Sequence, residues 1–510
     1  MTLLIKDVQI LGGARQFPDR MDVFVSGDKI SAIGNFPNKK ADAVLEGQGA
    51  YLSPGFIDVN TDSDHYLTLF DHPGQEDFLK QGVTTIFGGM CGSSLAPLLY
   101  GSLESLGKWA DPNRVNVNWH TMGELLKVID RHPLAVNFGT LVGHATIRRA
   151  IVGEDMRDLT KNELGVFSRT LRTALTEGGF GFSTGLSYVH ARETSYSELR
   201  SLVAIMKERG GMYATHLRDG GAGIAQSVAE TIKLAEETDA KTLISHFVPI
   251  VGSEKEYEAA LAAIEALPHE TDLHFDIYPS ANSLLPIYTF LPAWAQNGGV
   301  AVMLANVKDE WFAARVKKEM PQLDEENFVI AQAPGNDFLV GKSLAEVKEM
   351  YGAKDGRDAL VRLMVTMNMR GGILYKNLVS SLSRRAMASR RSFIASNAPS
   401  FADGVNDQGV PLRNKQLKSE LTTSTFTDFL TLVQQENLMP LEEAIAKITV
   451  RPAKHFNLPL RGVIAEGNFA DLTCFKGSEI KFTIVNGKIA MQNGECKKVL
   501  AGKALRHETH

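Results

Sequence analysis

The middle of the chain alternates between short apolar segments of strand length and longer segments with helical periodicity. The apolar segments, each followed by a loop, are residues 83–87, 135–142, 180–183, 212–215 and 241–245. Segments with apolar residues three and four positions apart lie between them, at 161–177, 193–209 and 224–237. Repeated strand–loop–helix units predict parallel strands, and this many units predict an α/β fold, a (β/α)8 TIM barrel.

Both ends of the chain contain short strand patterns instead of this alternation. A hairpin signal, Asn486-Gly487, separates two of the strands near the C-terminus. These patterns predict a small β-sandwich built from residues 1–54 and 456–510, attached to a barrel over residues 55–455. Residues 284–344 interrupt the alternation, which predicts an inserted subdomain over the barrel mouth. The alternative is one ordinary βα unit with a long loop.

Composition restricts the partners and the compartment. A length of 510 residues suits a large barrel with an attached module. The net charge of -5 with interspersed signs predicts no nucleic-acid partner. The three cysteines share no CxxC spacing, which argues against a disulfide framework or a zinc finger. The absence of a signal-peptide pattern and of a long apolar run predicts a cytoplasmic protein that is not in the membrane. The expected partner is a small-molecule substrate or ligand, and the oligomeric state is not predicted.

Motifs spread over nearly the whole chain occur in a fixed order. They include Ser53-Pro-Gly-Phe-Ile-Asp58, Cys91-Gly-Ser-Ser-Leu-Ala-Pro97, Tyr213-Ala-Thr-His216-Leu-Arg218, Ile244-Ser-His246, Arg461-Gly-Val-Ile464 and Val485-Asn-Gly487. Together they resemble the N-acyl-D-amino-acid deacylases (D-aminoacylases), a branch of the amidohydrolase superfamily. The resemblance implies a metal-dependent hydrolase of amide C–N bonds.

The resemblance also implies a tightly bound zinc ion at Cys91, His216 and His246. A thiolate with two imidazoles suits zinc and leaves a fourth position for water. These residues follow barrel strands, where side chains face the active site. The alternative is that Cys91 is a small buried apolar residue and that the histidines are hydrogen-bonded core residues.

Two parts of the family's site are altered. The family's His-x-His pair, which binds a second and weaker metal, falls at Asn60 and Asp62. Its acid/base aspartate falls at Asn397, and an amide has no usable basicity. A lysine and an arginine of the family fall at Val248 and near Leu421. The resemblance therefore implies a degenerate second metal site and a substrate other than an N-acyl-D-amino acid.

Several residues remain candidates for catalysis. Asp62 and Asp64 are the candidate proton acceptors, and Asn397 occupies the position of the missing acid. Asp62, Asp64 and Asn60 also offer oxygen ligands for magnesium or calcium, although hydrogen bonding is the favoured reading of Asn60. His65 either reaches the barrel mouth or, as the favoured reading, is an exposed loop residue.

The same strand-end argument places four candidate substrate contacts at the barrel mouth: His144, Tyr188, Arg218 and Tyr278. For each of them the alternative is packing or hydrogen bonding in the barrel rim, and Arg218 has the further option of orienting a carboxylate.

Three functions stay open on the sequence. The first is a mononuclear zinc hydrolase of amide C–N bonds. The second is a catalytically silent homologue that binds a ligand or partner in the former active-site cleft. The third is lyase or isomerase chemistry in that cleft, where a metal polarises a carbonyl group.

Overall fold

The computed structural model describes residues 1–17, 19–402 and 416–508. Residues 509–510 of the predicted terminal module and 403–415 of the predicted barrel segment lie outside these ranges, as does residue 18. Within the described ranges, no helix is long and apolar enough to cross a lipid bilayer.

Parallel strands form two sheets that follow each other along the chain. The first contains Phe56–Asp58, Val83–Gly88 and Asn137–Thr140, and the second contains Val142–Gly143, Gly181–Gly185, Met212–His216, Lys241–Ile244, Leu273–Ile277 and Ser392–Ile394. Only Leu141 separates the two sheets in sequence. No strand pairing joins their outer strands in the described part of the chain, but the backbone N–H of Asn397 donates to the carbonyl of Asn60 at 2.9 Å. This mixed α/β arrangement matches the class predicted from the alternation.

Helices lie between the parallel strands, as the alternation predicts, and further helices follow the last of these strands. They are Thr68–Asp71, Glu76–Lys80, Met122–Arg131, His144–Val152, Lys161–Thr176, Val189–Arg192, Tyr196–Glu208, Ile224–Thr238, Glu254–Glu265, Ser380–Ala388, Glu420–Thr423, Thr425–Gln435, Leu441–Ile448 and Val450–His455, with 3-10 turns at Glu104–Leu106 and Pro112–Arg114. A capping box fixes the start of the helix Lys161–Thr176. The Thr160 side chain accepts the backbone N–H of Glu163, and the Glu163 side chain accepts the backbone N–H of Thr160.

The two ends of the chain meet in one nine-stranded sheet. Its strands are Thr2–Ile10, Met21–Ser26, Lys29–Gly34, Ala43–Glu46, Tyr51–Pro54, Leu472–Lys476, Glu479–Val485, Lys488–Gln492 and Glu495–Cys496. The ends join where Ser53 pairs antiparallel with Thr473. Residues from both halves share one apolar cluster, which includes Leu3, Val25 and Phe482. The hairpin predicted at Asn486-Gly487 is confirmed.

A separate antiparallel unit replaces an ordinary crossover after Leu273–Ile277. It consists of strands Asn282–Pro286, Phe328–Gln332 and Gly372–Lys376, helices Gly299–Lys308, Glu310–Glu319, Leu344–Tyr351 and Gly356–Thr366, and 3-10 turns Ile287–Phe290, Ala293–Gln296 and Asp337–Leu339. Its apolar side chains form their own cluster. The unit extends past residue 344 because Gly372–Lys376 is its central strand. The domain boundaries proposed from the sequence stay a prediction.

The carboxyl group of Asp58 connects the first and last parallel strands. It is fully buried and accepts the backbone N–H groups of Asn60 at 3.2 Å and Ser396 at 3.1 Å. Burial raises the pKa of Asp58 to about 7. The folded state therefore holds a proton that the unfolded state has lost above about pH 4, so this group's contribution to stability declines as the pH rises through 7.

We expect Asp58→Asn to flatten the pH dependence of the free energy of unfolding between pH 5 and pH 8. Asparagine keeps an oxygen for both N–H groups but cannot ionise. Urea unfolding at the two pH values measures the effect, with the exposed Asp42→Asn as control. A variant that keeps the full wild-type pH dependence would contradict this assignment.

Candidate metal centre

Three ligand atoms converge at the carboxyl ends of the parallel strands. The sulfur of Cys91 lies 3.7 Å from Nδ1 of His216 and 3.3 Å from Nε2 of His246. Tetrahedral zinc, with bonds of about 2.3 Å to sulfur and about 2.0–2.1 Å to nitrogen, would set these atoms about 3.5 Å apart. The residues present therefore fit a zinc ion.

The backbone holds two of these ligands in an uncommon conformation. Cys91 lies in the loop after Val83–Gly88 with φ +53°, and His246 follows Lys241–Ile244 with φ +36°. Asn397, after Ser392–Ile394, has φ +49°. Left-handed backbone at non-glycine residues costs free energy and is concentrated at functional sites. The strand ends are thus shaped to aim these side chains at one point.

The protonation states suit metal binding. Burial lowers the pKa of His216 and lowers that of His246 to about 4, so both imidazoles are neutral near pH 7 and keep a lone pair. Burial also raises the pKa of the Cys91 thiol. A cation is therefore needed to drive off the thiol proton, and metal binding should release it.

A serine orients one ligand. The hydroxyl of Ser187 lies 2.8 Å from Nε2 of His216. If Nε2 carries the proton and donates to Ser187, the Nδ1 lone pair of His216 faces Cys91, which is the usual arrangement behind a metal-bound histidine.

We expect Ser187→Ala to weaken zinc affinity by about 10–100-fold, because His216 loses the partner that fixes its tautomer. Competition with a chromophoric chelator measures the affinity. Ser201→Ala, on the outer helix Tyr196–Glu208, is the control. Equal affinities in the two variants would show that Ser187 does not orient the ligand.

Asn60 acts as a hydrogen-bond donor inside the barrel. Its Nδ2 donates to Oδ2 of Asp276 at 3.2 Å, and Oδ1 of Asp276 accepts the backbone N–H of His246 at 2.7 Å. Burial raises the pKa of Asp276 to about 7. Sequence reasoning missed Asp276, although its place near the end of a buried strand was a signal that it points into the barrel.

Asp62 and His65 form a buried pair. Oδ1 of Asp62 lies 2.8 Å from Nδ1 of His65, whose Nε2 faces the carbonyl of Ser93 at 3.1 Å. The ring stacks on Trp109 with centroids 4.1 Å apart. The expectation that His65 is exposed is wrong, because the turn after Asp62 directs the ring inward, where it is fully buried.

Both ring nitrogens of His65 face acceptor oxygens, so the protonated ring satisfies both contacts. Burial alone would lower the pKa of His65, but the nearby Asp64 and Asp62 carboxylates raise it overall. These contacts therefore favour the protonated form of His65 beside Asp62.

The three candidate ligands, Cys91, His216 and His246, line a cavity of about 310 Å³. Its lining includes Asp62, Cys91, Tyr188, His216, His246, Val248, Tyr278 and Asn397. Asp64 is not in this lining. It is fully buried and accepts the backbone N–H of Gly89 at 2.6 Å. Of the two candidate proton acceptors, Asp62 is the one that faces the cavity.

Comparison with known proteins agrees with this geometry. A family model described as "Amidohydrolase family" matches residues 368–490. The chain is 27% identical over 486 residues to a D-aminoacylase of Alcaligenes xylosoxydans xylosoxydans, which covers 94% of this chain and 89% of the relative. An N-acyl-D-glutamate deacylase of the same organism is 27% identical over 475 residues, which covers 92% of this chain and 86% of the relative.

A crystal structure of a D-aminoacylase superposes with a TM-score of 0.79 at 25% identity, over 99% of each chain. This chain is similar to D-aminoacylases over nearly its whole length. The N-acyl-D-glutamate deacylase of Bordetella bronchiseptica, solved with zinc and a phosphonate inhibitor, has the same TM-score at 23% identity, over 99% of each chain, and shows the fold. The similarity implies a TIM barrel with a separate domain.

Two of the four predicted substrate contacts lie outside the metal cavity. His144 begins the helix His144–Val152, is fully buried, and has Nε2 2.8 Å from Oε1 of Glu198. Arg218 lines a different cleft and forms an ion pair with Glu230 at 2.8 Å. This contact fits the alternative role given to Arg218 above, which is to orient a carboxylate. Both residues follow strands, but a new helix or a turn carries their side chains away. Tyr188 and Tyr278 do line the cavity.

The two positions where the resemblance implies a lysine and an arginine hold apolar residues. Val248 lines the cavity, whereas Leu421 is fully buried in the cluster that contains Tyr278 and Leu378 and does not line it. Neither residue therefore supplies a positive charge.

Proposed function

We propose that this amidohydrolase cleaves amide C–N bonds with a single zinc ion bound by Cys91, His216 and His246. The observation that carries the proposal is the convergence of one thiol sulfur and two imidazole nitrogens on one cavity. Zinc bound there would supply an activated water molecule at neutral pH. The curated relatives named above are deacylases, which cleave an amide C–N bond, and this supports a hydrolase.

The contacts of Asn60 and Asp62 support the loss of the second metal site. Asn60 uses its amide N–H to bind Asp276, and Asp62 accepts from His65. A second cation there would have to replace these two hydrogen bonds. The D-aminoacylase of known structure has a binuclear centre with one-metal activation and second-metal attenuation, so one metal suffices for activity in that relative.

Asp62 is the proposed proton acceptor. Its side chain is 13% exposed and lines the cavity with Cys91, so it can reach a substrate, while His65 fixes its orientation. In the proposed reaction Asp62 takes a proton from the attacking water and passes it to the leaving nitrogen. Asn397 faces the same cavity and cannot take a proton, but its amide N–H can donate to the substrate carbonyl.

Zinc-dependent turnover on a panel of amides tests the proposal. Protein freed of metal with a chelator is assayed on N-acyl amino acids, simple N-acyl amines and cyclic imides, before and after addition of one equivalent of zinc. The expected result is a free amine or opened ring, detected by mass spectrometry, only after zinc is added. No zinc-dependent product from any class would favour a silent cleft.

A further inference from the structure

A second chamber, of about 1310 Å³, adjoins the metal cavity. The two share Tyr188 and Gln296 in their linings. The ring of Tyr188 lies 5.1 Å from that of the ligand His216, measured between centroids. Tyr188 therefore lies at the boundary between the chamber and the metal cavity.

Lys108 lines this chamber and has an unusual environment. It is only 8% exposed, and its Nζ has no hydrogen-bond partner among the described residues. Nζ lies 3.3 Å from the centroid of the Tyr188 ring and 4.0 Å from that of Trp109. The two rings offset only part of the cost of burying a charge that has no ionic hydrogen-bond partner, so burial lowers the pKa of Lys108 well below its ordinary value. An anion beside Nζ would favour the charged form.

Other donors in the chamber lining are also unsatisfied. Nε of Arg149, Nε2 of His190 and the hydroxyl of Tyr288 are buried and have no hydrogen-bond partner within the described ranges. Acidic residues line the chamber too, and Glu154 pairs with the terminal nitrogen of Arg149. Among the described residues that line the chamber, Lys108 is therefore a buried amine with no carboxylate hydrogen-bonded to it.

We propose that Lys108 binds a carboxylate group of the substrate. The substrate class is then an amide whose carboxylate lies on the Lys108 side of the reacting bond, with an apolar group toward Val248. An anion at this place would give Nζ its missing hydrogen bonds. Such charge-assisted hydrogen bonds are stronger than those between neutral groups. This inference rests on the proposed function for its account of the substrate, although carboxylate binding can be measured without turnover.

Isothermal titration calorimetry with two probes tests the inference. Racemic N-acetylleucine carries a carboxylate, and racemic N-acetylleucinamide is its neutral counterpart. Both are titrated into metal-free and zinc-loaded protein. We expect the carboxylate to bind at least about 10-fold more tightly than the amide in both forms, in the range of a strong charge-assisted contact.

The variant Lys108→Met should lose that preference, with carboxylate binding weakened by at least about 10-fold. Lys233→Met is the matched control, because Lys233 also lies over a tyrosine ring, that of Tyr196 at 4.8 Å, but lines a different cleft. Methionine has nearly the shape of lysine without the charge, so Lys108→Met should raise the melting temperature.

Three results would overturn the inference. One is equal binding of the carboxylate by wild type and Lys108→Met. Another is carboxylate binding that disappears when zinc is removed, since the group would then bind the metal. The third is a lowered melting temperature in Lys108→Met, which would make Lys108 a structural residue. Absence of turnover with unchanged carboxylate binding would contradict only the proposed function.

Discussion

Cys91→Ala should abolish zinc-dependent amide hydrolysis. The substitution leaves two neutral imidazoles, His216 and His246, which alone form an incomplete zinc site. Because loss of a residue that merely orients a ligand costs about 10–100-fold in metal affinity, loss of a ligand should cost more than about 100-fold. Chelator competition measures the affinity, and the amide panel measures turnover after zinc is added.

Cys474→Ala provides the control for Cys91→Ala. Cys474 is also a buried free thiol, but it lies in the strand Leu472–Lys476 of the terminal sheet, away from the cavity. This variant should keep zinc and turnover. If Cys91→Ala kept wild-type zinc affinity and turnover, the assignment of the sulfur as a ligand would be wrong.

Asp62→Asn should lower kcat by about 10²–10⁴-fold, the usual contribution of a general acid/base. The amide keeps the shape of the side chain and an oxygen for His65, but it cannot take the proton from water. Zinc content should not change, because Asp62 is not a ligand in this account. Steady-state kinetics and metal analysis of the same preparation measure the two quantities.

Asp64→Asn is the control for Asp62→Asn, because it removes a carboxylate charge at a position outside the cavity. Asp64 belongs to the same loop, but its oxygen accepts the backbone N–H of Gly89 and it does not line the cavity. Asparagine can still accept that bond, so kcat should fall by less than about 10-fold. A larger loss in Asp64→Asn than in Asp62→Asn would reverse the roles assigned to the two carboxylates.

The sequence was most informative where function depends on local chain geometry. A residue at the end of a parallel strand faces the active site because of the strand that precedes it, and this predicted the places of Cys91, His216 and His246. The motifs that resemble the D-aminoacylases predicted the family, and the relatives confirm it. The sequence also places Asn60 and Asp62 where the resemblance implies a His-x-His pair.

Features that depend on convergence of distant segments could not be predicted. Asp276 binds Asn60 across the barrel, and nothing near either residue in sequence shows that contact. The buried position of Lys108 is set by the rings of Trp109 and Tyr188, one of which lies far along the chain. The strand-end argument also failed for His144, because the helix that begins there turns the ring toward Glu198.

The metal content of protein purified without chelators tests the central claim most directly. Inductively coupled plasma mass spectrometry, with protein concentration from amino-acid analysis, gives the number of ions per chain. We expect about one zinc ion per chain, bound by Cys91, His216 and His246. Two ions per chain would contradict the loss of the second site, and no metal, even after incubation with zinc, would contradict the metal centre itself.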